Sequence, residues 1–235
     1  MKTKSKALLL TLCAVLLVTA SVLGTMAFLT STASVENTFT VGSVKITLDE
    51  AKVNGEGKPI NANGQVVTDL AAAERVKANS YKLMPGHTYT KDPTIHVDAA
   101  SEDCFIRAKV TLTNAKEWIE IATKYADNKV ENIIQGTDDN IWWVSQPAVD
   151  TANNTVTYTF VYKNESHNDE LGKRIWTSTD SKDLVLFKEI AIPGGLTNDE
   201  LKGVGNSKIT VVAEAIQADG FETEAAAWAA FDAQK

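Results

Sequence analysis

The chain has few of the residues that carry chemistry. In 235 residues there are two cysteines and three histidines, and there is no His-Glu-x-x-His, no Gly-x-Ser-x-Gly and no phosphate-binding glycine loop. These gaps remove the common signatures of zinc peptidases, serine hydrolases and nucleotide-binding enzymes. Cysteine is too scarce for a disulfide framework, because Cys13 falls in a leader and leaves Cys104 alone. Stability must therefore come from packing. With Phe105 and Ile106 beside it, Cys104 reads as a small buried hydrophobe rather than a nucleophile. Basic charge is also short, with 23 Lys and Arg against 30 Asp and Glu and a net charge of −7. That balance argues against bulk attraction to nucleic acid or anionic membranes.

Charge is missing altogether between Ala7 and Val35, directly after Lys2, Lys4 and Lys6. Cationic residues followed by a hydrocarbon run, strongest from Ala7 to Leu23, form a secretion-signal layout. Small residues follow at Thr19, Ala20, Ser21, Gly24, Thr25 and Ala27, so cleavage after Ala27 or Ala33 fits a signal peptidase. A retained anchor is the rival, but no cationic stop-transfer cluster follows. Residues 1–27 are expected to be a cleavable signal, and removing them leaves 208 residues, enough for one sizeable domain. Losing three lysines and no acid moves the formal charge from −7 to −10.

Beyond the leader, period-two alternation dominates. Val44, Ile46 and Leu48 share a face, as do Ile106, Ala108, Val110 and Leu112. The pattern returns in Val156, Tyr158, Phe160 and Tyr162, and in Ile209, Val211, Ala213 and Ala215. Shorter runs at Thr94 to Val97, Ile141 to Val144 and Leu184 to Ile190 add strands, and Asn153-Asn154 sits where a hairpin would turn. The expected fold is mainly β, an antiparallel two-sheet sandwich, jelly-roll-like, with a few short peripheral α-helices.

The main helical signals lie in three places. Trp118, Ile121, Ala122 and Tyr125 recur at helical spacing between Asn114 and Ala126. Thr197 and Glu200 have capping-box spacing, with Gly203 and Gly205 as stops. The alanine-rich TEAAAWAAFDAQ near the C-terminus can dock Trp228 and Phe231. Residues 50–65 read as a mobile surface loop, with a brief helix at Ala71 to Lys77.

Three stretches carry a resemblance. The text GTMAFLTSTASVENTFTVGSVKITL resembles the start of the TasA and camelysin (CalY) family, whose signals are removed by a SipW-like signal peptidase. The segment YKLMPGHTYTKDPTIHVDAASEDCFIRAKV and the closing ITVVAEAIQADGFETEAAAWAAF are similar to further blocks of that family. The resemblance implies a jelly-roll domain exported to the matrix or surface of a Gram-positive-type cell. It also implies polymerisation into biofilm matrix fibres, each subunit donating its freed leading segment to the next. Here that segment is 28–38, followed by a single domain over 39–235. The signal would be cut between Ala27 and Phe28, and Phe28, Leu29, Thr30, Ser31, Thr32, Ala33, Ser34 and Val35 would form the self-assembly strand. The implied partners are further copies of the chain, the signal peptidase and an accessory matrix protein. This strand has extended propensity, no proline and no charge to oppose pairing. It could equally complete its own subunit's sheet.

Some members of the family carry a metallopeptidase label. A zinc site from His87, His96 and one of Asp98, Glu102 or Asp103 is conceivable, although isolated histidines are usually packing or surface residues, as is His167. Acid clusters at Asp138-Asp139-Asn140 and Glu165 to Glu170 lack the EF-hand pattern and read as solvated loops. No cofactor, metal or catalytic residue is expected. Of the adjacent Trp142 and Trp143, one ring should enter the core. The other should lie beneath the 114–126 helix or remain exposed to stack on a sugar or partner. A surface binding module is the alternative to a fibre subunit.

Overall fold

The computed structural model describes residues 6, 11–17, 42–163 and 174–234. Residues 11–17 are helical, and among the described residues no helix is long and apolar enough to cross a membrane. The expected cleavage positions Ala27, Phe28 and Ala33 lie outside the described residues, as do the strand Phe28 to Val35, the 165–170 acid cluster and His167.

From Gly42 onward the chain is mainly β, with thirteen antiparallel strands among the described residues. One layer is built on β5 (Cys104–Thr113), which pairs along one side with β13 (Ile209–Gln217). Along its other side it pairs with β9 (Thr155–Tyr162) and with β10 (Ile175–Trp176). The far edge of β9 carries β7 (Trp142–Val144) and β8 (Ala148–Asp150). Alternation explains the long strands: Ile106, Ala108, Val110 and Leu112 face the core, where Val156, Tyr158 and Phe160 meet them. Asn154 takes a left-handed φ of 51° in the β8–β9 turn, the conformation asparagine tolerates best after glycine.

The second layer comprises β1 (Ile46–Ala51), β2 (Arg75–Val76), β4 (Thr94–Val97) and β11 (Asp183–Val185) in the order β11-β4-β1-β2, and a separate sheet of β3 (Thr88–Thr90), β12 (Glu189–Ala191) and β6 (Ile134–Gln135) in the order β3-β12-β6. The single strand expected over Leu184 to Ile190 is therefore two. Leu186 and Phe187 are consecutive and both fully buried, which strict alternation forbids, so the chain must turn between them. Pro93 breaks the neighbouring strand at the same level because it has no N–H to give the ladder. The two broken strands still hold each other across the bend, through Leu186 N to Pro93 O at 2.9 Å and Lys91 N to Lys188 O at 3.0 Å.

The helices are peripheral. Helix α1 (Ala115–Tyr125) buries Trp118, Ile121 and Ala122. Its Asn114 is left-handed and makes no side-chain cap, and its amide donates instead to Gly203 O at 2.8 Å. Helix α2 (Asn198–Val204) has the expected capping box from Thr197 and Glu200, and it ends at Gly205 after passing through Gly203. Helix α3 (Glu224–Asp232) lies on the outer face of β5 and β13, forming a satellite cluster of Phe105, Ala227 and Trp228 with Ile216 and Phe231.

Two further local expectations fail. Residues 71–77 are not helical, because a 3-10 turn at Leu70–Ala72 gives way to β2, whose Val76 and Arg75 pair with Glu50 and Ala51. Residues 50–65 form bonded miniature hairpins rather than a loose loop, with bridges Val53 to Pro59 and Ile60 to Val66. The side-chain oxygens of Asn54 and Asn61 accept two backbone N–H bonds each at 3.0 Å, so the polar composition serves tight turns.

Candidate functional site

Among the described residues, no strand pairs with β13 on the side away from β5, and none pairs with Ile46 to Asp49 of β1 on the side away from β4. These two edges face each other across a cleft of about 480 Å³, with Ile46 and Leu48 on one wall and Ile209 and Val211 on the other. The cleft continues into a second hollow of about 480 Å³ that shares Ala78, Asn79, Lys91 and Ile209 and reaches Leu112 and Trp118. The four wall residues pack against the core and remain only partly buried. A strand edge that no described strand pairs with, beside apolar side chains, is what an incoming strand requires.

One end of the cleft is polar and tightly bonded. Glu50 meets the Lys91 ammonium at 2.5 Å through Oε2, and its Oε1 accepts from the Asn79 amide at 3.0 Å. Asp92 accepts Ala51 N–H at 2.7 Å and an Arg75 guanidinium N–H at 2.6 Å. Arg75 also donates to Asp49 at 2.7 Å. Burial disfavours the Arg75 charge, but hydrogen bonds to Asp92 and Asp49 outweigh it and raise its pKa. Burial and the nearby Glu50 charge push the Tyr81 phenol upward as well. These contacts fasten residues 75–79, which form one rim of the cleft, to β1.

His96 lies on the outer surface of the same sheet. Its Nε2 is 2.8 Å from Asp49 Oδ1 and its Nδ1 is 2.7 Å from Asp183 Oδ1. Burial works against the charged ring, and the two carboxylate hydrogen bonds overcome it, so the pKa is raised. Both nitrogens are thus engaged by acids other than Asp98, Glu102 and Asp103, and His87 instead lies beside the Tyr89 ring. Among the described residues no group of three or more His, Cys, Asp and Glu is arranged to hold a metal ion. Cys104 is fully buried, and desolvation with the Asp103 charge pushes its thiol up to about 12.

No family model, curated protein or solved structure matches this chain. Interpretation of the site therefore rests on its geometry. Trp142 enters the core and donates to Val185 O at 2.7 Å. Trp143 points outward, but α1 does not cover it: the ring is 44% exposed, with the Arg174 guanidinium 5.7 Å from its centroid. The ring that α1 covers is its own Trp118. Asp138 caps its own turn by accepting Asn140 N–H at 2.9 Å.

Sequence reading identifies the strands that bear Ile46, Leu48, Ile209 and Val211 but does not show that they are edges. Edge status depends on which strands become neighbours, a property of topology rather than of local pattern. The Glu50, Asn79, Lys91 and Asp92 cluster carries no sequence signal, since its partners lie 29 and 41 positions apart.

Proposed function

We propose that this protein is a secreted structural subunit of extracellular matrix fibres that self-assembles by strand donation, with residues 28–38 of one copy entering the β1–β13 cleft of the next. The observation that carries this reading is the cleft itself, which among the described residues has an unpaired strand edge on each side, with Ile46, Leu48, Ile209 and Val211 on its walls and a polar end at Asp49, Glu50, Asn79 and Lys91. The donor matches it in chemistry and length. Alternation places Leu29, Ala33 and Val35 on one face, and none of Phe28 to Val35 is charged. Eleven extended residues span about 36 Å, against about 30 Å for the nine residues of β13. Each large apolar side chain buried contributes about 1.5 to 3 kcal/mol before ordering costs. Head-to-tail donation does not close on itself, so it builds filaments rather than rings.

Deleting residues 28–38 behind a working signal tests this reading. The expected result is a folded, exported monomer with no filaments by electron microscopy, and normal filaments from the truncated chain would sink it. A second reading, a monomeric surface-binding module, draws on exposed Trp143 beside Arg174, a ring available for stacking on a sugar. It predicts a monomer at all concentrations and saccharide binding that Trp143→Ala removes.

A further inference from the structure

Three side chains at the polar end of the cleft bring together, around one carboxylate, the groups that an amide cross-link needs. The Lys91 and Glu50 side chains are only 9% and 7% exposed, with Nζ and Oε2 2.5 Å apart. Glu50 Oε1 accepts from Asn79 Nδ2 at 3.0 Å, so a single carboxylate holds both the amine and the amide nitrogen. The amide orientation is determined by its other bonds: Nδ2 also donates to Ala51 O at 2.8 Å, and Oδ1 accepts Val53 N–H at 3.0 Å. A nucleophile, a proton carrier and a polarised carbonyl are thus gathered in a sheltered place, one edge of which opens to the cleft.

We propose that Lys91 and Asn79 form an intramolecular isopeptide bond, with Glu50 as the catalytic acid and base. Glu50 takes one proton from the Lys91 ammonium, and the free amine attacks Asn79 Cγ. The Val53 N–H stabilises the tetrahedral oxyanion. Glu50 gives its proton to the departing Nδ2 and receives the second amine proton in exchange. The C–N bond to Nδ2 breaks, ammonia leaves through the cleft, and the chain keeps a neutral amide beside a protonated Glu50. The product replaces a buried ion pair, which is costly to desolvate, with an uncharged bond. It also ties the 75–79 rim covalently, through Asn79, to the bend at Lys91.

Mass spectrometry of the purified full chain tests this. The proposal expects a mass below the sequence value by about 17 Da, the mass of ammonia. Trypsin should fail to cut after Lys91, so that residues 78–82 emerge joined to residues 83–107. Lys91→Arg keeps the charge pair without the nucleophile, and it should restore the sequence mass, as should Asn79→Ala. Glu50→Gln should leave the two peptides separate. An unshifted mass with free cleavage after Lys91 overturns the proposal. So does a loss of ammonia that survives Lys91→Arg.

Discussion

His96 is held between two carboxylates, an arrangement that makes its sheet sensitive to pH. A neutral imidazole has one N–H, so above its pKa one of the two contacts, with Asp49 or Asp183, becomes an acceptor facing an acceptor. Because the folded pKa is raised, this contribution is complete below the ordinary value of 6.5 and is lost as the pH climbs through the raised value. Asp49 runs the other way: burial raises its pKa, but hydrogen bonds from His96 and Arg75 prevail and lower it. Its contribution is present above 3.8 and is lost as pH falls through the lowered value. Hydrogen bonds to charged groups contribute roughly 1.5 kcal/mol or more when sheltered, and partial exposure of His96 reduces that. His96→Gln should lower Tm by about 2–4 °C at pH 5.5 and by clearly less at pH 8.5. A pH-independent difference in thermal melts would exclude this account. None of this was legible from the residues in order, because Asp49 and Asp183 lie 47 and 87 positions from His96. The burial of Cys104 was legible, since its immediate neighbours are apolar and it lies within a strand pattern.

At the scale of elements, helix α3 shows how a short, alanine-rich apolar segment is fixed to a sheet. Trp228 packs with Phe105 and Ala227, and the Arg107 guanidinium sits 4.1 Å from the centre of its ring. Arg107 also binds Glu214 at 2.6 Å and Asp232 at 2.5 Å, so one side chain links β5, β13 and the helix. Trp228→Ala should cost about 3 kcal/mol by opening this cluster, measured by urea unfolding, and should speed amide exchange in α3 before that in β5. Uniform exchange across both elements would refute the helix as a separately docked unit. The long strands and helix α1 were readable from their periods, α2 from its capping box and α3 from its alanines. Failures fall where few residues decide the outcome. Residues 71–77 offered helix-forming alanines, yet Arg75 is drawn into β2 by Asp49 and Asp92, carboxylates that are not local to it. The division of Leu184 to Ile190 follows from Pro93, which breaks a strand paired with it from about ninety positions away.

Across the whole molecule, the open cleft and the net charge act in opposite directions. In the proposed assembly, subunits would carry a formal −10 once the expected leader is removed and would repel one another, whereas the proposed donor segment and the apolar side chains on the cleft walls would make contact without added charge. Salt shortens the range of that repulsion from about 30 Å at 0.01 M to about 8 Å at 0.15 M and leaves burial of apolar surface intact. Polymerisation should therefore accelerate with salt over this range, as followed by light scattering, and inhibition by salt would mean that ion pairs rather than a donated strand join the copies. Val211→Lys separates the two effects, because it places a charge on the cleft wall while β13 keeps its pairing with β5. Losing one apolar contact of about 1.5 to 3 kcal/mol should raise the concentration needed for filaments by roughly 10- to 100-fold. The same charge on the outer face, at exposed Val212, should leave that threshold within about twofold. If both substitutions act alike, net charge governs assembly; if only Val211→Lys acts, the seam between β1 and β13 is where copies join.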